Sequence, residues 1–299
     1  MNAFRGAQFS QLVLGTRRFA ESGLRGGELV AFLEGAIESG LSTVDTADVY
    51  GDHGTEGLLG EAFRSSTSLR ARLQIVTKCG LRPRLGEGST RHYDASRAHL
   101  VAQVENSLRA LNTDHLDALL IHRPDPLMDA DELAEVFCAL KQSGKVRGFG
   151  VAHFRTCELE LLQSRLPFPL LVNQIPFSLS NLSPISDGVL TQCQKMRISP
   201  MATGVLDDHS ALSEHLAPSL AGDRMPYVTS VLSELAERTN VTADQLALAW
   251  VMRHPAQPIP VIETVKLERI RLAAAAAQLK LERSDWYRLL EAAAGREVS

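Results

Sequence analysis

The 299-residue sequence predicts a single-domain (β/α)8 TIM barrel, and two observations carry that expectation. Short β-rich runs alternate with amphipathic helical stretches along the whole chain, the signature of a largely parallel sheet wrapped by helices. No G-x-G-x-x-G follows the first strand, as a doubly wound dinucleotide fold would need to grip pyrophosphate, and Gly23, Gly26 and Gly27 lack that spacing. No linker, charge block or low-complexity segment divides residues 1–299, and the five alanines at 273–277 are simply good helix formers, so one domain is expected.

The elements follow in order. Leu29, Phe32, Leu33, Ala36 and Ile37 fall on one face of a helix over 28–39, which Gly40 closes before a strand at 41–45. A helix at 55–65 leads to a strand at 73–78, then a long polar loop through Gly86, Gly88 and His92, then a helix at 94–111. Residues 116–122 are almost continuously apolar, as in a strand buried on both faces, and the run ends abruptly at Arg123-Pro124. Helices at 130–143, 156–165 and 186–196 alternate with strands at 145–152, 169–174 and 197–203. Amphipathic stretches at 226–239 and 243–253, a strand at 258–263 and helices at 266–279 and 284–294 complete the chain. Seven strands are legible; the eighth is expected as two or three residues near Asn240 and Val241.

Composition narrows the function classes. A net charge of -4, from 31 basic and 35 acidic side chains, and the lack of a basic stripe with interleaved aromatics argue against nucleic acid as a partner. No apolar run approaches the ~18 residues of a membrane helix and the start lacks a signal-peptide core, so a cytoplasmic protein with no membrane partner is expected. The nine histidines form no HxxxH or HExxH pattern, and Cys79, Cys138, Cys157 and Cys193 form no CxxC pair, so neither a metal site nor a disulfide framework is expected.

In a barrel, chemistry belongs where strands end toward the following helices. Counting from the strand at 41–45, the first strand ends at Asp45, with Tyr50 five residues on, the second at Lys78 and the third at His122. Each has a plain alternative: a turn cap, a half-buried aromatic, a solvated rim charge, a hydrogen-bonded core imidazole. Together they suit proton transfer. Lys78 beside Tyr50 would stabilise the phenolate and make the phenol a better acid, Asp45 would hold the lysine, and His122 would orient a substrate oxygen.

At VDTADVYG (44–51), IVTKCG (75–80), LDALLIHRPDP (116–126), GKVRGFGVAHF (144–154) and VNQ (172–174), the sequence resembles the aldo-keto reductase superfamily, nearest the bacterial branch of YdhF-type oxidoreductases. The resemblance covers nearly the whole chain with the motifs in family order. It implies that Asp45, Tyr50, Lys78 and His122 form the catalytic tetrad of a carbonyl reductase, hydride coming from NADPH and the proton from Tyr50. It further implies a small-molecule substrate and a monomer or weak homodimer.

The cofactor half departs from the family pattern. The Ser-Asn pair that the family usually carries after the fourth strand in this count is Ala152-His153; Gln174 is kept; the aromatic that stacks under the nicotinamide is replaced by Thr203. The pyrophosphate loop reads Leu206-Asp207-Asp208-His209, adding two carboxylates where glycines usually allow backbone approach. The 2′-phosphate turn reads Glu263-Thr264-Val265-Lys266, with Lys266 and Arg269 left as phosphate partners. Three readings stay open: an NADPH-dependent reductase with a drifted cofactor loop, a redox-neutral lyase, dehydratase or isomerase using the same acid-base groups, and a non-catalytic regulatory subunit. Arg82, Arg84 and Arg91 in the loop over 80–93 would attract an anionic substrate, solvated surface arginines being the plainer reading.

Overall fold

A computed structural model describes residues 9–84, 86, 88–206 and 225–297; Asp207, Asp208 and His209 lie outside this set. Eight parallel strands close into one barrel in the order β1-β10-β9-β8-β7-β6-β3-β2, with helices between them on the outside. In chain order the elements are β1 (Val13–Gly15), α1 (Gly26–Glu38), β2 (Thr43–Asp45), α2 (Thr55–Ser65), α3 (Thr67–Arg72) and β3 (Gln74–Cys79). A small antiparallel hairpin, β4 (Leu81–Arg82) with β5 (His92–Tyr93), occupies the long polar loop, and α4 (Arg97–Ala110) and β6 (Ala118–Ile121) follow. Then come α5 (Ala130–Gln142), β7 (Phe149–Ala152), α6 (Thr156–Gln163), β8 (Val172–Pro176), α7 (Ser183–Ser186), α8 (Val189–Met196) and β9 (Ser199–Thr203). The chain ends with α9 (Met225–Thr239), α10 (Ala243–Met252), β10 (Ile259–Ile262), α11 (Leu267–Ala276) and α12 (Arg283–Ala294).

The expected barrel holds, with one strand relocated. The eighth strand is β1, whose Val13 pairs with Thr43 on one side and Val261 on the other. Asn240 and Val241 instead form the corner between α9 and α10. Asn240 is left-handed at φ 54, the Val241 N–H donates to the Ala236 carbonyl, and Thr242 caps α10 with its hydroxyl accepting from the Gln245 N–H. Every strand ordinal therefore rises by one: Asp45 ends the second strand of the barrel, Lys78 lies in the third and His122 follows the fourth. A smaller difference lies at 186–196, where Gly188 at φ 86 separates α7 from α8.

Strand periodicity sorts the side chains into two cores. Between barrel and helices lies the large cluster, to which α1 contributes Leu29, Phe32, Leu33 and Ala36. Inside the barrel lies a second one of Phe9, Val13, Val76, Ala118, Leu120, Val172, Met201, Ile259 and Val261. Filling the ring this way makes it a packed core with no through-pore, each full burial of such a side chain contributing ~1.5–3 kcal/mol. It also fixes what comes next. Two residues beyond Val76, Leu120, Val172, Met201 and Val261 stand Lys78, His122, Gln174, Thr203 and Glu263, so the layer above the apolar one is polar.

Candidate active site

That polar layer holds the predicted tetrad. Lys78 is fully buried, and its Nζ donates to Asp45 Oδ1 at 2.6 Å and to the Thr46 carbonyl at 2.7 Å. Gln174 Nε2 donates to the same Asp45 oxygen at 2.9 Å, tying β8 to β2 across the barrel. Tyr50 hangs over the layer from the turn after β2, with Lys78 Nζ 5.1 Å from its ring centroid. The His122 ring stands edge-on to Tyr50 with centroids 6.0 Å apart. A carboxylate, an ammonium, a phenol and an imidazole thus meet at one end of the ring.

Their protonation follows from burial set against charge. Burial raises the Tyr50 pKa; Lys78 opposes this, while Asp45 and Glu263 add to it, and the balance lies above the ordinary tyrosine value. This corrects the sequence expectation that Lys78 makes the phenol more acidic overall: the ammonium acts in that direction, but desolvation and two carboxylates outweigh it. The consequence is a phenol that keeps its proton at neutral pH. For Lys78 burial pulls down, yet Asp45 and Tyr50 raise it above its ordinary value, so it stays charged. Burial, then Lys78 and Arg123, pull His122 down to about 2, and the ring is neutral. A neutral imidazole can donate one hydrogen bond to an oxygen placed beside the Tyr50 hydroxyl.

Of the residues expected to hold a cofactor, Gln174 and Thr203 lie in this layer, and His153 follows β7 in the left-handed region at φ 62, its N–H donating to the Gln174 carbonyl at 2.7 Å. Burial, then Arg123 and Lys78, hold His153 down at about 3. Leu206, Thr264 and Arg269 instead line a cavity between the ends of β9 and β10 and helices α10 and α11. Lys266 is exposed at the N-cap of α11 and does not line it; its N–H donates to the Thr264 hydroxyl.

Three residues beyond the expected set shape the site. Arg18 lines the cavity from the segment after β1, and was hidden because that strand was not recognised. Glu263 turns into the barrel: a Cβ built on Gly15 would meet Glu263 Cγ at 2.8 Å, so Gly15 leaves the space that Glu263 fills. Asp48, between Asp45 and Tyr50, is buried with Oδ1 lacking a partner among the described residues, and burial, then Glu56, push it up to about 7.

The cavity suits a dinucleotide phosphate. Arg18 and Arg269 line it, and α11 starts beside it, bringing the positive end of its dipole near. Against this, Asp244 sits 3.6 Å from Arg269 and Glu263 faces the same space, so the positive charge is partly spent. Among the described residues no group of three or more His, Cys, Asp or Glu side chains is arranged to hold a metal ion, and no helix is long and apolar enough to cross a membrane.

Comparison with known proteins agrees with this geometry. The model of the Aldo/keto reductase family matches residues 11–294. The oxidoreductase YdhF of Escherichia coli is 42% identical over 98% of this chain and 97% of its own. The 6-dehydroglucose reductase of Agrobacterium fabrum is 39% identical over 90% of this chain and 89% of its own. Among solved structures, an aldo/keto reductase from Klebsiella pneumoniae in complex with NADP and acetate superposes with a TM-score of 0.73 at 27% identity, covering 94% of this chain and 90% of that one.

Proposed function

The chain belongs to the aldo/keto reductase family and is an oxidoreductase of that family, and from that premise we propose that it reduces the carbonyl of a small molecule with NADPH, Tyr50 giving the proton. One observation carries the reading: Lys78, bonded to Asp45, stands 5.1 Å from the Tyr50 ring inside the barrel mouth, with the His122 ring 6.0 Å from the same phenol ring.

NADPH, when bound, supplies the hydride. Gln174, His153 and Thr203 suit its nicotinamide end, and Arg18, Leu206, Thr264, Lys266 and Arg269 its phosphate end. The remaining work falls to the tetrad. His122, neutral, donates a hydrogen bond to the carbonyl oxygen and sets it against the Tyr50 hydroxyl. Tyr50 holds its proton until charge develops on that oxygen, then delivers it. Lys78, already charged and fixed by Asp45 and the Thr46 carbonyl, compensates the phenolate left behind without reorganising. The buried setting makes that compensation stronger than it is in water.

A titration with NADPH, paired with turnover of a polyhydroxylated aldehyde, tests the reading; the Agrobacterium relative's name makes a sugar-derived aldehyde the natural first probe. Tyr50→Phe is expected to lower kcat by about 10²–10⁴-fold while NADPH affinity stays within about threefold. Wild-type turnover in that variant would refute the proton donor. Absence of binding at millimolar NADPH would favour the redox-neutral reading, which the inward Glu263 and the missing aromatic at Thr203 support.

A further inference from the structure

Resting on the reductase reading, we propose that Arg123 anchors an anionic oxygen group, a carboxylate or a phosphate, on the carbonyl substrate. Arg123 directly follows His122 and is half-buried at the barrel mouth. Some arginines of this chain have carboxylates, Arg70 and Arg147 pairing with Asp117 and Arg238 with Asp285, and most of those without one are exposed to water. Arg123 has none among the described residues; the groups whose charge it feels are Tyr93, Arg91 and Tyr50.

Two acids of the adjoining loops are committed elsewhere. Asp125, two residues on, accepts the Ala95 N–H at Oδ2, 2.9 Å, and the Leu127 N–H at Oδ1, 2.8 Å, so both oxygens serve the backbone. Asp94 Oδ1 is taken by the N–H and hydroxyl of Ser96, and its Oδ2 lies 4.0 Å from His99. Prolines at 124 and 126 stiffen the segment, and the Asp125 link to Ala95 ties it to the strand end of the β4–β5 hairpin, bringing Tyr93 and Arg91 to the same rim.

A guanidinium cannot shed its proton to escape partial burial, and a second cation at Arg91 adds to the cost of leaving it unpaired. A bound anion removes that cost, and the planar fork can take two of its oxygens at once. Because Arg123 adjoins His122, the anion would sit on the same molecule whose carbonyl oxygen faces Tyr50. The substrate class is therefore a small aldehyde or ketone that carries its own negative charge.

Two matched pairs of probes decide the matter: D-glyceraldehyde with its 3-phosphate, and butanal with succinic semialdehyde. In the wild type the charged member is expected to have a kcat/KM at least tenfold higher in one or both pairs, and the pair that shows it names the group. Its KM should rise with ionic strength. Arg123→Gln should bring the ratio toward one, and Arg123→Lys, which keeps the charge without the fork, should fall between. Calorimetry with succinate and inorganic phosphate supplies a readout independent of hydride transfer, with at least tenfold weaker binding expected in Arg123→Gln. If no probe is turned over with NADPH, the reductase reading fails while the anion titration still judges Arg123. Equal use of neutral and charged members, or anion affinity unchanged in Arg123→Gln, overturns the assignment.

Discussion

Replacing Asp45 by Asn removes one charge from the centre of the site while keeping an oxygen for the Lys78 ammonium. Lys78 is fully buried and Asp45 is 2% exposed, so the ammonium left behind cannot reach water. Its remaining partner, the Thr46 carbonyl at 2.7 Å, and the Tyr50 ring beside it are neutral. Breaking a buried pair from one side costs about 3–5 kcal/mol, and the new amide keeps an acceptor, which places this variant near the lower end. A domain stable by on the order of 10 kcal/mol still folds after that loss. Urea unfolding followed by the fluorescence of the stacked Trp250 and Trp286 measures it. The pH dependence gives a sharper test. In the wild type the Lys78 pKa lies above its ordinary 10.5, so the stability it contributes is complete below that value and is lost only as pH rises through the higher folded value. Without Asp45, burial dominates and pulls Lys78 below its ordinary value. The unfolded chain then binds more protons, and the variant gains stability as pH rises toward 10.5. The gap between the two proteins should therefore narrow between pH 7 and 10, by at most about 1.4 kcal/mol per unit. A gap below about 1 kcal/mol at pH 7, or one that widens toward pH 10, would show that the pair is not buried as described.

Asp48→Asn should act in the opposite sense. Its carboxyl is pushed up to about 7 by burial and then by Glu56, so the native state holds a proton that the unfolded chain releases near 3.8, and wild-type stability falls as pH rises through that window. The amide cannot ionise, so the variant should melt higher than wild type at pH 8 and lose Asp48's share of the slope between pH 4 and 7, the raised Glu56 keeping its own; a lower melting temperature at pH 8 counts against the buried acid. Glu263→Gln keeps the shape packed over Gly15 but removes the charge facing the cavity, and NADPH affinity measured by calorimetry should rise roughly fivefold to tenfold, on the order of 1 kcal/mol. Unchanged affinity would mean that the carboxylate does not oppose the phosphates.

What the sequence made legible, and what it hid, follows from how the barrel is built. β1 pairs over only three residues, as β2 does, but where a helix pattern leads into β2, none leads into β1 and the polar Thr16, Arg17 and Arg18 follow it, so no alternation marks it as a barrel strand. Missing that strand hid Gly15 and Arg18 together, because both are placed by its end. The tetrad was readable since each member follows a recognisable apolar run and the strand period points Lys78 and Gln174 to the same side as Val76 and Val172. Glu263 obeys the same period two residues beyond Val261, so its packing over Gly15 follows from the strand, while the turn it opens sets it beside Thr264 at the phosphate end. The net pKa of Tyr50 was beyond spacing altogether, since it depends on how far burial and Glu263 offset Lys78, and that balance exists only once the ring has closed. Arg123 shows the same limit from the other side: its position beside His122 is plain in the chain, but its lack of a carboxylate among the described residues becomes visible only when Asp125 is seen spending both oxygens on the backbone of residues 95 and 127. A charge pattern in a sequence gives the supply of acids and bases; which of them remain available to a ligand is decided by the loops that consume the rest.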